Sequence, residues 1–412
     1  MALRLNDPVN VNDPEATRAP APIIGWALDP LMRLDQAGAR GLISDLAVAG
    51  PLTRQGAFIL AAAILERGEA AIDALIAPFA LVETGADAAG VVLRLQRTRE
   101  VIAAVYGVRP TMVPGGYLRA LQRVQEARSI APGLDPLAEP SAYKRLYEIM
   151  SSQKHSPAAH GLRYCGPLRA MHVRAVDELH PLLVVPEVLR TMYGTDKIRQ
   201  ANNLLALLQR CVTTLDEAAL TTALRQSLGH GDALGRLGRR ILERADRLPV
   251  PDFPHLDGLR ILTTADEIRA FGTEMSNCAG QYVCEVALGT KLLGAYTHVD
   301  KSGETIPLAI VLTPMVGGAW EVEQILGHGN ELVPRLVLRL VLQRLMSIGI
   351  QVSGPTPSST YDRDVAELLG LHRFHRSCES LREAVAGDDD DDPPDPAQDG
   401  VVVALRRAAE FA

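Results

Sequence analysis

The chain has 412 residues, 47% of them apolar and 22% charged, a composition suited to two or three globular domains with full cores. No window approaches roughly 18 uninterrupted apolar residues, the polar start 1–8 lacks a signal peptide's apolar stretch, and the five cysteines are odd in number and widely spaced. These features exclude a secreted or membrane protein and lead us to expect a cytoplasmic one; the formal net charge of −7 equals the seven aspartates between Asp388 and Asp399, so the rest of the chain is balanced.

Residues 1–25, rich in Pro, Asn and Asp, read as a flexible arm. From residue 26 to about 250 the apolar period is helical. Leu28, Leu31 and Leu34 with the stretch 41–46 give a helix pair, and 56–65 is a buried helix. Further helices are expected over 100–106, 117–128, 168–178, 187–192, 198–212 and 215–228, with Gly-Pro turns at 50–51 and 166–167. Seven arginines between residues 94 and 128 face only Glu100 and Glu126. Arg236, Arg239, Arg240, Arg244 and Arg247 then share one side of a helix whose other side carries Leu234, Leu237, Ile241, Ala245 and Leu248. Glu243 lies four residues from both Arg239 and Arg247, so intrahelical ion pairs are expected to take up part of that charge. What remains is a candidate phosphate-binding face.

Pro249, Pro251 and Pro254 stop the helix and read as a linker. Beyond them Thr264 and Glu267 form a capping-box pattern that opens a helix running to about residue 280. Runs 292–299, 306–313 and 319–325 read as strands, joined at 300–303 and at Val316-Gly317-Gly318. A helix over 334–347 follows, and Ile350-Gln351-Val352 can add a strand. The expected fold class is α+β. A mainly helical domain, 26–250, precedes a smaller helix–antiparallel meander–helix domain, 255–380, and the acidic segment 388–399 should be disordered by self-repulsion. Cys278 and Cys284, and the cluster 372–378, lack a full set of donors at ligand spacing, so no metal is expected. No phosphate-binding glycine loop occurs, and no cofactor is implied.

In the second domain Met275-Ser276-Asn277-Cys278 is followed by Tyr282, Gly289, Pro307 and Trp320, then by Gln324-Ile325-Leu326-Gly327-His328-Gly329-Asn330. This order resembles the PcfJ-like family of mobile-element proteins, in which a Met-x-x-Cys-x-x-x-Tyr helix precedes a hairpin ending in Gln-x-x-Gly-x-x-Asn. The lead-in 262–268 and Gly272 are similar as well, and the likeness spans about 255–345. It departs at Asn277, where the family commonly has histidine. The resemblance implies an accessory protein of a plasmid or prophage, associating with nucleic acid or with protein partners of the element.

The residues themselves offer Cys278 as a nucleophile with His328 or His298 as base, and Tyr282, Gln324 and Asn330 as binding groups. Against this, and ahead of it, Cys278 reads as a small apolar residue packed under the sheet, late in a helix where the macrodipole disfavours a thiolate. Three functions are therefore carried forward. They are a nucleic-acid-associated accessory protein using the arginine faces, an interaction adaptor, and a Cys278-dependent enzyme.

Overall fold

The computed structural model describes residues 20–36, 40–68, 95–126, 131–152, 156–227, 233–315, 317–352 and 363–371. The arm 1–19, Arg94, Arg128, Val316, the cluster 372–378 and the acidic segment 388–399 lie outside them. Two compact units are formed: Met1–Gln209 with Thr214–Arg239, and Arg210–Thr213 with Arg240–Ala412.

The first unit is built from helices. Leu28–Gln36 and Leu42–Val48 pair as expected and turn Leu31, Leu34, Leu42 and Leu46 inward. Helix Pro51–Arg67 begins on Pro51, whose missing N–H is harmless at a helix start, and buries nearly every residue from Thr53 to Ile64. A helix apolar all round belongs in a core. Within it Arg54 is fully buried. Its guanidinium donates to the carbonyls of Leu134 (2.6 Å), Leu46 (2.7 Å), Ala21 (2.8 Å) and Pro22 (3.2 Å), and lies 5.6 Å from the Phe58 ring centre. Gln55 beside it donates to the carbonyls of Gly133 and Asp135 and accepts from the Tyr143 hydroxyl at 2.8 Å. The two side chains bind the loop around 133–137 to the helix.

The helix expected over 117–128 runs only over Gly115–Gln122, and the one expected from 168 starts at Ala170. Both are shortened by the same tertiary contact, a parallel bridge between Val124 and Leu168 that takes those residues out of helix. Helices Thr98–Tyr106, Pro186–Arg190, Thr195–Cys211 and Glu217–Ser227 follow the apolar period to within a few residues, whereas Ser141–Ser151 and Pro157–Tyr164 were not expected and Ala233–Leu242 stops short of Leu248.

The second unit carries a four-stranded antiparallel sheet in the order β1-β2-β3-β4, with β1 Leu259–Ile261, β2 Leu292–Val299, β3 Thr305–Pro314 and β4 Trp320–Leu326. The fold is α+β. One face of the sheet presents Leu292, Tyr296, Leu308, Ile310, Leu312 and Val322 to Val341, Leu342 and Leu345 of helix Arg335–Ser347. Each such fully buried side chain contributes about 1.5–3 kcal/mol. The proline-rich stretch is not a free linker, because Val250 and Phe253 between its prolines, and Leu256 just after them, pack against this core. Gln351 makes a single parallel bridge to Glu321 rather than a full strand. At the first hairpin Asp300 Oδ1 accepts from Ser302 N, Ser302 Oγ and Glu304 N, which closes the turn while Gly303 takes φ 86°.

Candidate functional site

The capping box forms as its pattern requires: Thr264 Oγ1 accepts from Glu267 N, and Glu267 Oε2 accepts from the backbone N–H groups of Thr263 and Thr264. Those N–H donors, Thr263 first, hold the Glu267 carboxyl below the usual carboxylate range. The helix so opened, Ala265–Glu274, ends earlier than expected. Ser276 takes φ 49°, Asn277 N–H turns back to the Gly272 carbonyl at 2.9 Å, and Asn277 Oδ1 caps a new 3₁₀ turn, Cys278–Tyr282, by accepting from Ala279 N. Cys278 is therefore exposed at the start of a turn. It is neither late in a helix nor packed beneath the sheet, and both expectations are corrected. Gly272 makes the reversal possible, since a Cβ there would stand 2.9 Å from Gly280 N.

The far end of the motif joins this turn. After β4 the chain forms a 3₁₀ turn, His328–Asn330, whose Gly329 N–H donates to the Met275 carbonyl at 2.8 Å. Ser276 and Asn330 are the two non-glycine residues with positive φ among the described residues, and they flank this junction from its two sides. Such backbone is held only where the surroundings over-determine it. The structure thus brings the Met275–Cys278 and His328–Asn330 segments together, with Cys278, His328 and Asn330 all exposed.

His298 does not join them. Strand alternation puts it on the face of Tyr296 and helix Arg335–Ser347, opposite Ile306, where it is buried with Nδ1 lacking a hydrogen-bond partner. The turn ending in Tyr282 borders the other face, so His298 is not placed to act on the Cys278 thiol.

Gln324 reaches that other face through a β-bulge. Val311 pairs with Gln324 but Leu312 pairs with Val322, leaving Glu323 as the extra residue. An unbulged strand would send Gln324 to the side of Val322. Glu323 accepts from Thr313 Oγ1 at 2.6 Å and from Lys291 Nζ, and both charged side chains are largely buried. Lys291 Nζ also lies 5.8 Å from the Tyr282 ring centre. This Lys291–Glu323–Thr313 group was not legible in the sequence. Its members become neighbours only through the bulge, and the one signal is a lysine standing directly before an apolar strand. Chemically it fixes the bulge and hence the direction of Gln324.

The arginine faces differ in how far their charge is taken up. In the first, Arg97 meets Glu100 at 3.7 Å, Arg99 donates to the carbonyls of Pro110 and Val113, and Arg123 to those of Leu162 and Gly166, while Arg109 and Arg119 are exposed with no side-chain partner among the described residues. In the second, Arg236 and Arg239 each have a partner. Arg240, Arg244 and Arg247 are exposed, and their side chains make no hydrogen bond or ion pair among the described residues. The helix expected to carry all five arginines ends at Leu242, so Glu243 does not share a helix with Arg247 and the ion pairs expected of it do not form; Asp246 is turned to Thr213, accepting from its N–H at 3.0 Å and its hydroxyl at 2.7 Å. Among the described residues no cluster of three metal-ligating side chains occurs, and no helix is long and apolar enough to cross a membrane. No family model, no curated protein and no solved structure matches the chain.

Proposed function

We propose that this protein associates with the phosphate backbone of a nucleic acid through Arg240, Arg244 and Arg247, in the accessory role within a mobile genetic element that the PcfJ-like order of Met275 to Asn330 implies. The observation that carries the reading is that these three exposed guanidinium groups have no partner of their own among the described residues. Arginines already paired would have to break those pairs before gripping phosphate. Unpaired ones need only displace condensed cations, which is the driving force of such association. Helix Ala233–Leu242 ends before the exposed Glu243, so Arg240 stands in its last turn and Arg244 and Arg247 on the segment that follows.

The test is a full-length Arg240→Ala/Arg244→Ala/Arg247→Ala variant titrated against a labelled duplex at low salt. Binding weakened at least tenfold, with an unchanged thermal melt, is expected. Equal binding by variant and wild type removes this face from the account.

A further inference from the structure

The first unit carries another cationic surface, around the turn between helices Pro157–Tyr164 and Ala170–Glu178. Four arginines meet there. Arg123 donates to the Leu162 and Gly166 carbonyls that form the turn. Arg163 lies against Arg123, its Nε buried without a hydrogen-bond partner. Arg169 places its guanidinium 5.5 Å from the Tyr193 ring centre. Arg190 ends a helix packed on Pro157–Tyr164 and, like Arg123, lies within electrostatic reach of the buried Cys165 thiol. None of the four has a carboxylate partner among the described residues. Glu126, which approaches the start of the second helix, is occupied by the N–H groups of Ala138 and Ala170.

Two tyrosines flank this charge and are unusually open, Tyr164 at 53% and Tyr193 at 66% exposure, whereas Tyr117 and Tyr143 are buried. The Tyr164 ring rests against His160 at 4.8 Å and the Tyr193 ring against Arg169, so each ring is steadied on one side. Steadied, exposed rings beside guanidinium groups that no carboxylate neutralises are the two components of a stacking platform for unpaired bases. A duplex hides its base faces and could use only the charge.

We infer that this surface binds single-stranded nucleic acid, with two bases stacked on Tyr164 and Tyr193 and the intervening phosphates held by Arg163, Arg169 and Arg190, while Arg123 shapes the turn that carries them. The inference extends the nucleic-acid reading to a second surface and rests on that reading.

The experiment measures anisotropy of a labelled oligothymidylate of about 12 nucleotides, within ordinary single-strand site sizes. A duplex of equal length serves as the comparison, and the full-length chain is used as wild type and in the Arg240→Ala/Arg244→Ala/Arg247→Ala background. In both backgrounds Tyr164→Ala and Tyr193→Ala should each weaken single-strand binding at least about fivefold, leaving the salt slope and duplex binding unchanged. Tyr193→Trp should keep the affinity, and Arg190→Ala should lower the slope by about 0.7. Tyrosine variants that bind the single strand like wild type, or lose duplex binding equally, overturn this inference while the arginine face of residues 240–247 stands. A wild-type chain that binds neither probe at low salt ends both.

Discussion

His172 accepts from Arg169 N–H through Nδ1 at 3.2 Å, faces Cys165 Sγ at 3.8 Å with the same nitrogen, and buries Nε2 without a partner. Burial, and then the nearby Arg169 charge, push its pKa down to about 4. An unfolded chain would protonate near 6.5, so between those values the unfolded state binds more protons and stability rises with pH. Unfolding free energy should therefore fall by about 3 kcal/mol as pH drops from about 6.5 to 4. His172→Asn, which keeps an acceptor for Arg169 N–H, should remove that part of the pH dependence in urea titrations. A slope that persists in the variant would assign it to other groups. Gly272 gives a second residue-scale expectation. Gly272→Ala should cost about 1–3 kcal/mol, because the new Cβ meets the Gly280 backbone rather than a side chain that can swing away.

At the scale of elements, helix Pro51–Arg67 depends on a charge that its apolar run conceals. Arg54→Met leaves the buried carbonyls of Leu46 and Leu134, and those of Ala21 and Pro22, without their shared donor, and should destabilise the chain by at least about 3 kcal/mol in chemical denaturation. A loss below about 1 kcal/mol would show that the guanidinium is dispensable to the loop it binds. Elements whose cause is local were legible in the sequence. The Thr264–Glu267 cap is set by residues three apart, and β2, β3 and β4 by alternation and glycine turns. What was not legible has a distant cause. Strand β1 is three residues long and exists only as a partner of β2. The bulge that turns Gln324 depends on the register of β3, and helix Gly115–Gln122 stops where Val124 finds Leu168. Likewise, the order of Met275, Cys278, Gln324 and Asn330 was readable, but the Gly329–Met275 hydrogen bond that joins its two ends was not, and neither was the removal of His298 to the other face.

For the whole molecule, the formal net charge of −7 is a poor guide to where charge acts. Local balance decides it. Within one arginine-rich stretch Arg97 is paired and Arg99 and Arg123 are bound to carbonyls while Arg109 and Arg119 stand exposed, and Arg240, Arg244 and Arg247 all keep their charge exposed. The measurement that tests this most directly is the salt dependence of duplex binding by the full-length chain between about 50 and 200 mM, beside the Arg240→Ala/Arg244→Ala/Arg247→Ala variant. Affinity should fall linearly on logarithmic axes, with a slope shallower by roughly 2–3 in the variant, since each lost phosphate contact removes about 0.9. A slope unchanged by the three substitutions, or no binding at the lowest salt, would contradict it.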